Sequence, residues 1–259
     1  MSRFFVDSSG IADGQICLSG PEVNHIRQVL RMRPGDEITL CDGAGTDYQC
    51  RILAFSDAGM SAEILRREEC EQELPVRITL YQGLPKKDKM ELIVQKAVEL
   101  GASRIVPVMM KRTIVKLDDA KKEAKKLERW NAIAKGAAEQ SGRGIVPEVC
   151  PVMAYADAVK EAAAMEAAIL PYECAEGMRR TAEAVKEAAK KKGLGVLIGP
   201  EGGFEEEEVI LAEQAGIVPV TLGKRILRTE TAGLCILSLV MAEAELYEEE
   251  RKQSGSISG

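Results

Sequence analysis

Two stretches of this sequence carry residue types that could do chemistry around one small ligand. The first, Leu197-Ile198-Gly199-Pro200-Glu201-Gly202-Gly203-Phe204, closes an apolar run that reads as a strand. Its proline fixes φ, and its paired glycines admit left-handed backbone and close approach of a ligand. The second, Leu222 to Gly233 (LGKRILRTETAG), sets Gly223, Ile226 and Leu227 among Lys224, Arg225 and Arg228. Ile226 and Leu227 could sandwich an adenine-like ring while backbone groups read its edge. Arg228 could hold an anion or a developing negative charge. The glycine-rich stretch is neither a GxGxxG fingerprint nor a Walker loop, because no Lys-Ser/Thr pair follows its glycines. Glu205 to Glu208 suit the first turn of a helix and would repel a phosphate placed there. A nucleoside without phosphates, or a cation, fits better.

Plainer readings stand beside these. Gly199 to Gly203 also makes an ordinary strand-to-helix turn, and Thr229 with Glu230 also makes a helix cap with an acidic first turn. Glu139-Gln140-Ser141-Gly142-Arg143 ends a long basic helix at a glycine stop; its polar groups read as an exposed helix end or as substrate contacts. His25 is the only histidine and lies in HIRQVLRMR with Arg27, Arg31 and Arg33, where Arg27 and Arg31 are spaced to share a helix face. Among arginines it reads as part of a phosphate-contacting face rather than as a catalyst. One histidine also leaves no room for a His-rich metal site, and a Ser-His-Asp triad would have to borrow a residue far from both motifs. No metal is expected.

These residues need a frame to position them. From Val76 onward, apolar runs alternate with long helical patterns, which implies a mostly parallel α/β sheet with ligands at the carboxyl ends of its strands. Both motifs fall at such ends. Residues 1–72 differ: short β-type runs separated by Asp-Gly and Pro-Gly turns, with one helix from Pro21 to Leu30, predict a compact barrel. The polar stretch Glu68 to Pro75 marks the boundary. The expected division is residues 1–72, 73–248 and a Gly/Ser-rich tail, 249–259, read as disordered.

Composition bounds the partners. The net charge of −6 argues against nucleic acid, but residues 77–143 hold 16 basic and 8 acidic side chains, enough for a basic face on an acidic protein. Seven cysteines without a CxxC pair read as free thiols in a reducing cytoplasm. No apolar run approaches the ~20 residues of a membrane span, and the N-terminus lacks the apolar core of a signal peptide.

Taken in order, Arg3-Phe4-Phe5, HIRQVLRMRPGD, KMELIVQKAVELG, EQSGR, LIGPEGGF and LGKRILRTETA resemble the RsmE-type ribosomal RNA methyltransferases of the SPOUT class. The resemblance spans nearly the whole chain, and the last two motifs are its specific part. It implies a PUA-like β-barrel followed by an α/β trefoil-knot domain. It further implies S-adenosylmethionine held by Leu197, Ile198, Gly199, Pro200, Glu201, Gly202 and Gly203 with Leu222, Gly223, Ile226, Leu227, Arg228 and Thr229. The implied reaction is methylation of uridine N3 in 16S rRNA of the assembled small subunit, by a homodimer. Arg228 is then the charge-stabilising residue, and Glu230 or Glu139 the proton acceptor. Glu201 serves to position its loop. Arg3, His25, Arg27, Arg31, Arg33 and Arg143 would contact RNA. One departure is Glu205, where family members often carry Ser or Thr. Rival readings are a SPOUT enzyme for transfer RNA or a ribose hydroxyl, a non-catalytic ribosome-assembly factor, and a nucleotide-dependent enzyme.

Overall fold

Turn chemistry punctuates the N-terminal segment. Gly59 has φ 142° and a Cβ there would lie 2.2 Å from the Leu18 carbonyl oxygen, so only glycine lets the two backbones approach this closely. The computed structural model of the protein describes residues 3–115, 119–175 and 177–256. It divides into two compact units, Met1–Glu73 with Ala138–Val146, and Leu74–Ala137 with Pro147–Gly259.

In the first unit, β1 (Arg3–Phe5), β2 (Ile11–Ala12), β3 (Gln15–Leu18), β4 (Glu37–Cys41), β5 (Thr46–Ser56) and β6 (Gly59–Glu69) form one mixed sheet in the order β1-β4-β5-β6-β3-β2. Two register shifts in the long β5–β6 hairpin, at Gln49/Cys50 and Ile52/Ala54, let it bend around a single core. Ile16, Ile26, Leu40, Cys50 and Ile52 fill that core. The segment after Ala137 belongs to this unit. Ile145 bridges Ala44, Gly45 N–H donates to the Gly144 carbonyl at 3.0 Å, and the Arg143 guanidinium pairs with Glu73 at 2.5 Å.

The predicted helix at Pro21 is built differently from expectation. α1 (Pro21–Asn24) runs into a π-type turn, His25–Val29, in which Leu30 N–H reaches back five residues to the His25 carbonyl. Arg31 then adopts φ 57°. The wide turn and the left-handed residue take Arg31 off the helix, so Arg27 and Arg31 do not share a helical face.

In the second unit, β7 (Arg77–Gly83), β8 (Ala102–Met109), β10 (Met153–Ala154), β11 (Ala167–Pro171), β12 (Gly193–Ile198) and β13 (Val218–Val220) form an all-parallel sheet in the order β10-β8-β7-β12-β11-β13. The short strand β9 (Glu148–Val149) adds to β8. Crossovers run through α2 (Lys89–Glu99), α3 (Ala120–Ser141), α4 (Tyr155–Ala163), α5 (Met178–Ala189) and α6 (Glu206–Gln214), and α7 (Thr229–Ser256) ends the chain. Central β7 and β12 are buried along nearly their whole length, as strands covered on both faces must be. Tyr81, Val106, Leu170, Leu197 and Phe204 pack into one core on one side of them.

α7 extends well into the segment expected as a tail. Glu248 and Lys252 pair at 3.0 Å one turn apart, and the Arg251 guanidinium lies 6.0 Å from the Tyr247 ring centre. These i,i+4 contacts support the helix as far as Lys252. Ile257 to Gly259 lie outside the described residues.

Candidate active site

Parallel strands end together, so β7, β8, β11, β12 and β13 deliver their following loops to one edge of the sheet. The loop after β12 is seated against β7. A Cβ on Gly83 would stand 2.5 Å from Pro200 N and 2.7 Å from its ring, a clash with backbone that no rotamer relieves. Gly203 adopts φ 70°. From the other side Arg112, just beyond β8, donates Nη1–H to the Gly202 carbonyl at 2.7 Å and Nε–H to Glu205 at 2.9 Å. Glu205 and Glu208 also form a reciprocal capping box at the start of α6. The departure from Ser or Thr at position 205 thus leaves the cap intact and adds a partner for Arg112, whose guanidinium holds the Glu205 carboxyl below its usual range.

The start of α7 is drawn back to the same place. Thr229 is buried, donates its hydroxyl to the Gly199 carbonyl at 2.6 Å, and accepts from Gln82 Nε2 at 2.8 Å. One side chain therefore ties the end of β7, the loop after β12 and the last helix together. Beside it, Lys89 on the first turn of α2 places Nζ 3.2 Å from both Glu201 and Glu230. Glu201 also accepts from Lys86 N–H at 3.0 Å. Partial burial opposes the Glu201 charge, but these donors prevail and hold its carboxyl below the usual range. The same carboxylates outweigh the desolvation of Lys89 and raise its ammonium.

Between the two motif loops lies a cavity of about 390 Å³. Ile198, Gly199 to Phe204, Ile226 to Thr229 and Ala232 form its walls, with Lys89, Pro171 and Glu173 completing them. A smaller hollow of about 70 Å³ adjoins it and is lined by Leu222, Gly223 and Arg225, sharing Pro171, Glu173, Ile226, Leu227 and Ala232. Ile226 is 87% exposed, an apolar side chain left bare at the mouth of a cavity. Arg228 is also exposed, and among the described residues no ion pair or hydrogen bond engages its guanidinium.

The structure places the residues predicted from the sequence unequally around the cavity. Leu197 is not at the cavity: strand alternation turns it into the core, while Ile198 faces the site. Thr229 lines the cavity, but its hydroxyl is committed to Gly199 and Gln82. Glu230 stands beside the cavity, paired with Lys89, without lining it. Glu139 lies in the first unit, whereas the cavity is built wholly by the second. Arg143 is 3% exposed and held by Glu73, and Arg3 is ion-paired with Asp47 and donates to Gln72 at 2.9 Å, so neither offers its charge to RNA. Of the remaining set, His25, Arg27, Arg31 and Arg33 are exposed. His25 leans on Phe4 with ring centres 5.7 Å apart, and Arg27 lies over Phe55 at 5.8 Å.

Lys89 and Glu173 line the cavity, and Gln82, Gly83 and Arg112 brace its loops, without the motifs announcing any of them. Only Lys89, at the head of KMELIVQKAVELG, sat in a stretch already singled out.

Comparison with known proteins decides what this cavity belongs to. Residues 72–241 match the RNA methyltransferase domain family, and residues 18–58 match the RNA methyltransferase PUA domain. The ribosomal RNA small subunit methyltransferase E of Bacillus subtilis is 40% identical, over 95% of this chain and 98% of its own length. The chain belongs to the RsmE family. The Mycobacterium bovis member is 34% identical over 92% of this chain and 90% of its own. The solved RsmE of Neisseria gonorrhoeae, bound to S-adenosyl methionine, superposes with a TM-score of 0.77 at 36% identity, covering 93% of this chain and 97% of that one. The fold is thus a PUA-type module with a SPOUT-class α/β domain, and the two motif loops of this RsmE-family chain line the same cavity.

Proposed function

We propose that this chain uses S-adenosylmethionine to methylate N3 of a uridine in 16S rRNA of the assembled small ribosomal subunit, acting as a cytoplasmic homodimer. The observation that supports this most is the cavity itself, whose glycine loop is not of a phosphate-binding type and whose wall holds Arg228 without an ion-pair partner among the described residues. Its volume suits a small ligand. Its charges suit a cation: Glu173 and Glu201 stand against Lys89 and Arg228 on the lining, with Glu230 adding a negative charge beside Lys89. The balance is negative by one, opposite to the net charge of a sulfonium amino acid. The glycine cradle leaves backbone groups accessible, and Ile226 and Leu227 offer faces for an adenine.

Bound there, the cofactor supplies an electrophilic methyl group. The protein's residues do the rest. Uridine N3 carries a proton that must leave before its electron pair is available, and the charge then spreads over the ring oxygens. Arg228, exposed on the cavity wall, would face that charge. Glu230 is the proton acceptor we favour, because it stands beside the cavity next to Lys89, whereas Glu201 is tied down by Lys86 N–H and Lys89 as a weakly basic anion. A base in RNA must be drawn out of its stack to enter. His25, Arg27, Arg31 and Arg33 would then hold phosphates.

Nucleoside mass spectrometry of rRNA from a strain lacking the gene tests the assignment. Loss of 3-methyluridine, restored by the wild-type gene and not by an Arg228→Ala copy, is expected. An unchanged 3-methyluridine level would overturn it, and loss of a ribose-methylated nucleoside instead would move the enzyme to the rival class.

A further inference from the structure

Lys89 has no part in the site as the sequence motifs describe it, yet it joins three of its elements. Its ammonium reaches from the first turn of α2 to Glu201 on the loop after β12 and to Glu230 at the start of α7, 3.2 Å from each. Glu201 has a second donor in Lys86 N–H. Glu230 shows no such second donor among the described contacts: its Oε2 is buried and forms no aligned hydrogen bond, and Lys89 is the cation it is ion-paired with. The side chains of Lys89, Glu201 and Glu230 are 28%, 25% and 17% exposed, so water screens this triad only in part.

The geometry places two carboxylates within two such short contacts of one another, with one cation between them. Without that cation they would be like charges at close range in a half-buried site, where one of the pair takes up a proton. The group left to do so is Glu230, since Glu201 keeps its backbone donor.

We propose that Lys89 is a positioning residue for methyl transfer, one that keeps Glu230 anionic and aimed beside the cavity so that it can accept the uracil N3 proton. The step balances simply: the N3–H bond breaks, the proton passes to the Glu230 carboxylate, and the electron pair stays on N3 with its charge facing Arg228. The charged groups around Glu230 are Lys89 from α2, Glu201 from the loop after β12, and Arg228 on its own approach to α7; Glu173, after β11, lies across the cavity. This role rests on the methyltransferase reading above.

Two measurements separate the role from a structural tie. In the first, kcat is followed against pH on small subunits isolated from the deletion strain, with saturating S-adenosylmethionine. Lys89→Met is expected to move the acid limb upward by at least one pH unit, and Lys89→Arg to return it. Glu201→Gln, which removes the competing negative charge, should move it downward. A structural tie would lower kcat at every pH and leave the limb in place, and that result overturns the proposal. If Lys89→Met does not fold, the direction of the Glu201→Gln shift decides alone. In the second, carbon-13 NMR of glutamate carboxyls in the full-length protein needs no turnover. A carboxyl titrating at least one unit higher in Lys89→Met than in the wild type, and missing from the double variant with Glu230→Gln, supports the role. Absence of any such carboxyl overturns it, whether or not the subunit proves to be the substrate.

Discussion

The arginines of the two units look alike in the sequence and do opposite things in the fold. In the first unit Arg143 and Arg3 turn inward, the one 3% exposed against Glu73, the other paired with Asp47. In the second, Arg228 sits at a cavity wall with its guanidinium uncommitted. A buried guanidinium survives only with its hydrogen bonds met, so the fold surrounds Arg143 with acceptors and spends its charge on cohesion. An arginine left unpaired at a cavity keeps its charge for a ligand. What separates the two is the neighbouring carboxylate, and nothing in the local sequence of either arginine reveals it.

Removing Arg143 should have the largest effect. Arg143→Ala leaves Glu73 as a part-buried carboxylate without its partner and is expected to cost about 3–5 kcal/mol of stability, read by chemical denaturation. If stability holds and RNA affinity falls instead, Arg143 belongs with the exposed set. Arg228→Ala should do the reverse. Turnover is expected to fall by about 10²–10³-fold, the loss typical of one charge-stabilising donor, while calorimetry finds S-adenosylmethionine bound and the melting temperature unmoved. Near-normal turnover would refute its assignment.

The same contrast explains how much could be read in advance. The frame was legible: the short β-type runs of the N-terminal segment form one sheet, and the strand-then-helix rhythm from Val76 onward gives a parallel sheet. The cavity-forming loops were legible because glycine and proline act through backbone geometry, which sequence carries directly. α4 announces itself poorly, since its N-cap is Ala154 with no side-chain acceptor and no proline follows. Gln82, Arg112 and Glu73 were illegible for another reason: each matters through a partner tens of residues away, and only the fold supplies that partner. The excursion of residues 138–146 into the first unit is of the same kind, set by Gly144 and Ile145 meeting Gly45 and Ala44.

Thr229 sharpens the comparison, because its hydroxyl is committed to the frame while its neighbour Arg228 is the residue proposed to meet the ligand. Thr229→Val keeps the shape but strips the Gly199 carbonyl of its donor and Gln82 of one acceptor. Gln82 Oε1 is already buried without a partner, so this corner has no spare contact to fall back on. A loss of about 1–3 kcal/mol is expected, recovered by Thr229→Ser. A stable valine variant that has lost only cofactor affinity would instead make the hydroxyl a ligand contact. On the exposed face, Arg27→Ala should lower the salt slope of RNA binding by about one counterion and leave stability alone; an unchanged slope removes Arg27 from the RNA face.

The smallest effect is expected at Arg112, which stands between the two kinds of arginine. It is exposed and paired with Glu205, and exposed pairs contribute little. Yet it also donates to the Gly202 carbonyl at 2.7 Å, and its stem packs where a Gly202 Cβ would lie. Those two contacts predict different outcomes for the two partners. Glu205→Ser, which restores the residue common in the resembling family, still offers an N-cap oxygen and leaves the Gly202 contact intact. It should change S-adenosylmethionine affinity by less than about threefold. Arg112→Ala frees the glycine loop itself and should weaken binding more than that, with turnover at saturation unchanged. Equal losses from the two variants would show that the ion pair, and not the carbonyl contact, holds the loop.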